Sequence, residues 1–288
     1  MKDHIKLLRP HQWIKNLFVL IPAFFAARFS LLLTDGALWY ALFSFCFAAS
    51  AVYIINDIFD RDNDRLHEVK RLRPIASGAV SVRSALMVCA VMFVLAAVLA
   101  LLVNTTFVVV VGIYFWSNLL YSFYLKHISI VDISIIAVGF VLRVIGGGVA
   151  ADVPVSKWLI LMTFLLASCL ALGKRRDDLM LNVENNGLRR SLDGYTIGFV
   201  DTSLVVLSVT TIVCYIMYTV SDEVVLRMHS EYIYLTAIFV IIGILRYLQI
   251  AIVEQASGSP TLILLKDRLI QAMILMWLSS FAVFLYVL

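Results

Sequence analysis

Nine stretches of this chain carry almost nothing but apolar side chains. They run approximately over residues 17–34, 37–56, 82–103, 107–124, 131–151, 155–173, 196–220, 231–253 and 268–288. Each is close to the roughly 20 residues an apolar helix needs to cross the hydrocarbon core of a bilayer. Pro22 and Arg28 interrupt the first run, and small residues follow its apolar stretch, so it also has features of a cleaved leader. Eight more runs follow it, and the class does not depend on that choice. Between the runs, the longest polar stretches are Asp57–Ser81 and Lys174–Tyr195. Both are too short for a domain and long enough for a lid or a short helix. Within the second, Asn182–Asp193 reads as a mobile lid or a linker. Ser257-Gly258-Ser259-Pro260 reads as a turn. The pattern predicts an all-α integral membrane protein with nine transmembrane helices, organised as one polytopic domain over residues 1–288.

Composition agrees. Of 288 residues, 62% are apolar and 15% are charged, where a soluble domain carries about 25% charged residues. The mean hydropathy is +0.96. A soluble globular domain is excluded for lack of polar surface, and disorder for excess of apolar residues. The net charge of +4 gives no reason to expect a nucleic-acid partner, and the placement of the charge is more informative than its sum. Eighteen of the 23 Lys and Arg residues fall in the N-terminal segment or in the loops after spans two, four, six and eight. The other side has only Arg28, Lys157 and Arg227, while Arg143 and Arg246 lie inside runs. The positive-inside rule therefore places the N-terminus and these loops in the cytoplasm, as in a multi-pass protein of the cell's inner (plasma) membrane. Cys46, Cys89, Cys169 and Cys214 each sit inside an apolar run and read as packed hydrophobes. The five histidines form no zinc-binding spacing.

The chemistry starts at the end of the second run. Residues 53–65 read Tyr-Ile-Ile-Asn-Asp-Ile-Phe-Asp-Arg-Asp-Asn-Asp-Arg. If the helix continues, Asn56, Asp60 and Asp64 fall one turn apart on one face, with Asp57 beside them. A row of carboxylates repels itself unless a cation intervenes. Oxygen ligands one turn apart suit Mg²⁺, which takes one or two carboxylates and completes its shell with water and phosphate. The alternative is a solvated acidic loop paired with Arg61 and Arg65. Against it, the acids begin inside the apolar boundary, and Lys70, Arg71 and Arg73 follow at once, as expected if the metal holds a diphosphate.

The pattern Asn56-Asp57-x-x-Asp60-x-x-x-Asp64 resembles the first aspartate-rich motif of the UbiA superfamily of intramembrane prenyltransferases. Arg73-Pro74-Ile75-Ala76-Ser77-Gly78 resembles the arginine-proline-leucine stretch of that family. The resemblance covers essentially the whole chain. It implies a UbiA-like bundle with a cytoplasm-facing polar cavity, in which a Mg²⁺-bound diphosphate departs and a carbocation-like centre develops. The family's second D-x-x-x-D motif, after span six, is missing. The segment there is Gly173-Lys174-Arg175-Arg176-Asp177-Asp178-Leu179, and four residues beyond its acids come Leu181 and Asn182.

Five further segments resemble a distinct branch of the family. They are Arg9–Asn16, Asn118–Lys126, Val131-Asp132, Gly139–Gly147 and Gly173-Lys174-Arg175. Members of that branch move phosphoribose from phosphoribosyl diphosphate to a polyprenyl (decaprenyl-type) phosphate, for lipid-linked arabinose donors and cell-wall polysaccharide. Such a reaction gathers three anionic groups at a membrane surface and needs several cations. The resemblance implies metal binding by Asn56, Asp60 and Asp64. It implies substrate binding by Lys15, Asn56, Asp57, Lys70, Arg73, Lys126, Arg143 and Arg175, and catalytic roles for Asp60, Asp64 and Lys174. Arg143, inside span five, is the hardest to explain as a lipid anchor, because a lipid-facing arginine at that depth is costly; a structural pair is its alternative. Gly146, Gly147 and Gly148 read as close helix packing. Two rivals stand beside this reading: an ordinary prenyltransferase with an aromatic acceptor, and a transporter. The sequence leaves oligomeric state open and is compatible with a homo-oligomer.

Overall fold

The computed structural model describes residues 2–28, 34, 36–66, 69–184, 194–228 and 230–286. Part of the first predicted run (29–33), the lid or linker from residue 185 onward, Arg189, Arg190, His67 and His229 lie outside the described residues. In chain order the α-helices are α1 (Lys2–Leu8), α2 (Ile21–Phe25), α3 (Ala37–Phe59), α4 (Arg61–Arg65), α5 (Val82–Val103), α6 (Thr105–Phe123) and α7 (Val131–Ala151). They continue with α8 (Lys157–Glu184), α9 (Ile197–Thr219), α10 (Asp222–Met228), α11 (Ala237–Leu248), α12 (Pro260–Lys266) and α13 (Arg268–Tyr286). A 3₁₀ helix over Pro10–Leu20 precedes α2, another over Glu231–Thr236 leads into α11, and a π-helical turn over Gln249–Val253 ends it. No strand occurs among the described residues.

Among the described residues eight helical segments are long and apolar enough to cross a membrane, so the chain is a multi-pass membrane protein. The runs expected at 82–103 and 131–151 match α5 and α7 to the residue. The first run is not among the eight. Its described part is the end of the 3₁₀ helix followed by the short α2, where Pro22 and Arg28 break the apolar pattern. The span expected at 155–173 continues as helix to Glu184. No breaker intervenes, and an i,i+3 pair between Arg175 and Asp178 supports the polar extension.

Helix starts follow from local capping. Ser81, Asn104 and Thr196 are extended residues whose side chains accept from the backbone N–H groups of Ser84, Phe107 and Phe199. Pro260 opens α12, where a missing N–H costs nothing.

The chain forms two compact units. The first holds residues 1–124 and 142–155, the second 125–141 and 156–288, so α7 contributes to both. In the first unit α3 packs along α5. The contact uses small residues: Ala41, Ser44, Ala48 and Ala51 on α3, and Ala85, Cys89, Ala96 and Ala100 on α5, all buried. Small side chains let the backbones approach, which is how helices gain contact when lipid offers no hydrophobic drive. Two polar contacts follow from that closeness: the Ser44 hydroxyl donates to the Ala96 carbonyl at 2.8 Å, and the Cys89 thiol to the Ala51 carbonyl at 3.6 Å. In the second unit a cluster around Leu172, Val200, Leu204, Tyr247 and Ala251 joins α8, α9, α11 and the π turn. The expected turn at 257–260 is seated here, with the Ser257 hydroxyl donating to the Gly173 carbonyl at 2.6 Å.

The glycines of α7 bear out the packing expectation. A Cβ on Gly147 would overlap the Val19 carbonyl, and one on Gly146 would press on Phe45 and Phe107. Gly112 has open space around it. Gly147→Val should therefore destabilise the protein by about 1–3 kcal/mol or more through overpacking, read as a lower melting temperature in detergent. Gly112→Ala should be neutral or slightly stabilising; equal effects of the two changes would contradict this packing.

Candidate active site

In the first unit the acidic motif sits where α3 gives way to α4. Asp60 caps α3, and the backbone continues almost helically, with Asp60 N–H bonded to the Asn56 carbonyl and Asp64 N–H to the Asp60 carbonyl. The expected one-turn spacing is therefore realised. Asn56 donates through Nδ2 to Asp60 Oδ2 at 3.0 Å. Asp57 and Asp64 are only 2% and 3% exposed, which excludes a solvated acidic loop for them. That reading holds for Asp62 alone: Arg61 at 3.0 Å and Arg65 at 3.5 Å pair with it at the surface, and Arg61 holds its carboxyl below the usual range.

The buried carboxylates share one guanidinium. Arg73 Nη1 donates to Asp57 Oδ1 at 3.1 Å and to Asp64 Oδ2 at 2.6 Å. Arg9 Nη2 donates to the same Asp57 oxygen at 2.5 Å and lies over the Tyr53 ring. Burial pushes the Asp64 carboxyl above its ordinary value, and Arg73 pulls against that. Arg9 is held in the left-handed region, φ 52° and ψ 56°, between α1 and Pro10. A non-glycine residue there costs about 1–3 kcal/mol. Neighbouring contacts fix the segment: the Trp13 indole donates to the Ser50 hydroxyl, which donates to the Leu8 carbonyl at 2.8 Å. Lys15 and Lys70 are partly buried, Lys15 in the N-terminal 3₁₀ helix and Lys70 at the start of the turn that delivers Arg73.

Arg143 is 5% exposed. Its Nε donates to Asn16 Oδ1 at 2.7 Å, its Nη2 to the Tyr114 hydroxyl at 2.8 Å, and its guanidinium lies 4.7 Å from the Tyr114 ring centre. Asn16 in turn donates to the Cys46 sulfur at 3.2 Å.

In the second unit the Gly173–Leu179 segment is helical. Lys174 is exposed. Arg175 donates from Nε to Asp132 Oδ2 at 2.6 Å and from Nη1 to Asp178 at 3.1 Å. Asp132 is 1% exposed, and its other oxygen accepts from the Tyr195 hydroxyl at 2.6 Å. That hydroxyl accepts the Ile130 N–H, also at 2.6 Å. Burial and the Asp132 bond both push the Tyr195 phenol up. Ile130 has φ 71°, a strained value for a β-branched residue. Lys126 lies four residues earlier, in a 3₁₀ turn over Leu125–His127.

The structure thus joins Asp57, Asp64 and Arg73 in one side-chain network, pairs Asn56 with Asp60 on the same stretch of backbone, and places Lys126, Lys174 and Arg175 in the second unit. Sequence reasoning missed Arg9 as the second partner of Asp57, Asp132 as the partner of Arg175, and Tyr195. Arg9 and Asp132 stood inside segments singled out by resemblance, but their spacing from their partners carries no signal. Tyr195 had none.

The residues fit a hydrated Mg²⁺. Among the described residues no three His, Cys, Asp or Glu side chains gather as a metal cage, and Mg²⁺ does not require one. The Asn56 amide oxygen and the carboxylates of Asp60 and Asp64, one turn apart, offer the hard oxygen donors it uses beside water and phosphate.

A model of the UbiA prenyltransferase family matches residues 16–260, and the chain belongs to that family. It is 35% identical to the decaprenyl-phosphate phosphoribosyltransferase of Mycolicibacterium smegmatis, over 98% of this chain and 92% of that one. It is 31% identical to the Mycobacterium tuberculosis protein of the same name, over 96% and 92%. Its fold is similar to that of a UbiA homolog from Archaeoglobus fulgidus solved bound to DMAPP and Mg²⁺, with a TM-score of 0.73, 21% identity, and coverage of 99% and 100%.

Removing Arg73 takes the cation from buried Asp64 and leaves buried Asp57 with Arg9. Arg73→Ala should cost about 3 kcal/mol of stability, the low end for a broken buried pair because Arg73 is partly exposed. A detergent melting curve indistinguishable from wild type would show that the pairings do not hold in solution.

Proposed function

We propose that this protein transfers 5-phosphoribose from phosphoribosyl diphosphate to a polyprenyl phosphate and releases diphosphate, with Mg²⁺. The observation that carries this reading is the segment after span six. Where a prenyltransferase of this family carries its second acidic pair, this chain has an exposed Lys174 and an Arg175 fixed by two carboxylates. A donor with one diphosphate does not call for that exchange, whereas a donor with an added 5-phosphate does. The names of the mycobacterial relatives support the same substrates.

In this reading Asn56, Asp60 and Asp64 hold the metal. Mg²⁺ bound there supplies positive charge to the departing diphosphate. Arg73 and Lys70 take up the rest of that charge, which requires Arg73 to lend donors now given to Asp57 and Asp64. Asp57 keeps Arg73 and Arg9 aimed. Lys174, Arg175 and Lys126 bind phosphate in the second unit, and Lys15 and Arg143 serve the first. The bond from the anomeric carbon to the diphosphate oxygen breaks as a lipid phosphate oxygen attacks from the opposite face, so the centre inverts. No general base is needed, because a phosphate monoester is already anionic at neutral pH. The charge distribution of the loops supports a cytoplasm-facing polar cavity, a cytoplasmic N-terminus and an inner-membrane location. A product of this kind would serve lipid-linked arabinose donors and cell-wall polysaccharide.

The test is direct. Purified protein with Mg²⁺, labelled phosphoribosyl diphosphate and polyprenyl phosphate should give a labelled lipid; a parallel reaction with prenyl diphosphate and an aromatic acid should not. Asp60→Ala should lower transfer by roughly 10²–10³-fold or more in a protein that still folds in detergent, and normal turnover would end the metal assignment. Lys174→Ala should raise the KM for phosphoribosyl diphosphate more than that for the lipid.

A further inference from the structure

We propose that Tyr195 is a positioning residue for donor binding. Its hydroxyl ties the turn carrying Lys126 to the helix face carrying Arg175, making one rigid cationic edge. The inference rests on the phosphate-binding roles given above to those two cations.

The geometry is a chain of short bonds within the second unit. Ile130 N–H donates to the Tyr195 oxygen, and the Tyr195 O–H donates to Asp132 Oδ1, both at 2.6 Å. Asp132 Oδ2 then accepts Arg175 Nε at 2.6 Å. One phenol oxygen thus uses its donor and an acceptor lone pair on two different segments. The Asp132 carboxylate faces the phenol on one side and the guanidinium on the other. That leaves the forked end of Arg175 oriented by Asp178 through Nη1. Tyr195 itself is 5% exposed, so its ring cannot swing out to break the chain without unpacking the start of α9.

Two independent observations say that this is more than a packing detail. Ile130 keeps a left-handed backbone, φ 71°, although it is β-branched and exposed on the surface. Nothing about burial requires that conformation, and the Tyr195 oxygen is what meets the amide it presents. Strain of this kind is kept where the surroundings over-determine it, and functional sites are where it collects. The second observation is Gly194. A Cβ there would overlap the Ser129 hydroxyl, so the residue before Tyr195 is pressed against the residue before Ile130. The two segments are in contact at consecutive positions, and the turn that holds Lys126 cannot move independently of Tyr195. A phosphate bound by Lys126 and Arg175 would gain because the Arg175 guanidinium and the backbone following Lys126 are already held.

Tyr195→Phe keeps the ring and removes both hydrogen bonds. It should raise the KM for phosphoribosyl diphosphate about tenfold, leave the KM for polyprenyl phosphate within twofold, and speed amide exchange of residues 125–131. In an Arg175→Ala background the same change should add about threefold at most, because only the part that acts through the Lys126 turn remains. Asp132→Asn, which keeps the shape, should repeat the donor-selective effect and serves as the second variant if Tyr195→Phe does not fold. If Arg175→Ala and Lys126→Ala weaken donor use but Tyr195→Phe and Asp132→Asn do not, the coupling is wrong and the roles of the cations stand. If the two cation variants leave donor use unchanged, those roles fail and the proposal fails with them. Equal loss for both substrates, together with a lower melting temperature, would reduce Tyr195 to a structural residue and overturn the proposal.

Discussion

A guanidinium shared by two carboxylates occurs three times among the described residues. Arg73 lies between Asp57 and Asp64, Arg175 between Asp132 and Asp178, and Arg246 between Glu254 and Asp267. The reason is electrostatic. A carboxylate at 1–3% exposure, as in Asp57, Asp64 and Asp132, has lost most of its water, and the loss is tolerable only with a hydrogen-bonded cation in contact. Arginine suits that position better than lysine, since its planar head has five donors and is more weakly hydrated. Lysine appears where the head must stay wet, as at Lys174.

These pairs also set backbone geometry. Arg9 and Ile130 both adopt left-handed conformations without being glycine, and each sits next to a buried carboxylate network. Arg9 reaches Asp57 by its side chain, and Ile130 reaches the Asp132 network by its amide through Tyr195. Each conformation costs about 1–3 kcal/mol, comparable for Arg9 with its charge-assisted hydrogen bond to Asp57, about 1.5–3 kcal/mol. The strain is thus of a size that one such bond can offset. It also places the cations: with Arg9 in a relaxed extended conformation, the chain would leave α1 in another direction.

The parts of the fold that were legible in the sequence are those set by local hydropathy. The ends of α5 and α7 follow from where apolar runs stop. The one-turn spacing of Asn56, Asp60 and Asp64 is likewise local. The extension of α8 to Glu184 does not show in hydropathy, because charged residues end an apolar run while a helix can leave the bilayer and continue where i,i+3 pairs support it. The partners of Asp57 and Asp132 were not legible at all. Arg9 lies 48 residues from Asp57, and Tyr195 63 residues from Asp132; no periodicity links such positions. Only packing brings them together.

The exchange of acid for base after span six makes sense as charge matching. In the proposed reaction the donor carries a diphosphate and a 5-phosphate, and the acceptor carries another phosphate. Each phosphate monoester contributes about −1.5 to −2 at neutral pH. The family's spaced D-x-x-x-D motif is absent there; Asp177 and Asp178 are adjacent, and Asp178 is paired with Arg175. In the proposed reaction Lys174 and Arg175 would supply the cations directly. Their cost is that a guanidinium must be kept oriented without a metal to organise it. The carboxylates of Asp132 and Asp178 do this, at the price of cancelling part of the charge they orient. The Tyr195 hydroxyl donates to the other oxygen of Asp132; in the proposed reaction that bond would weaken the cancellation and leave Arg175 more of its field for a phosphate.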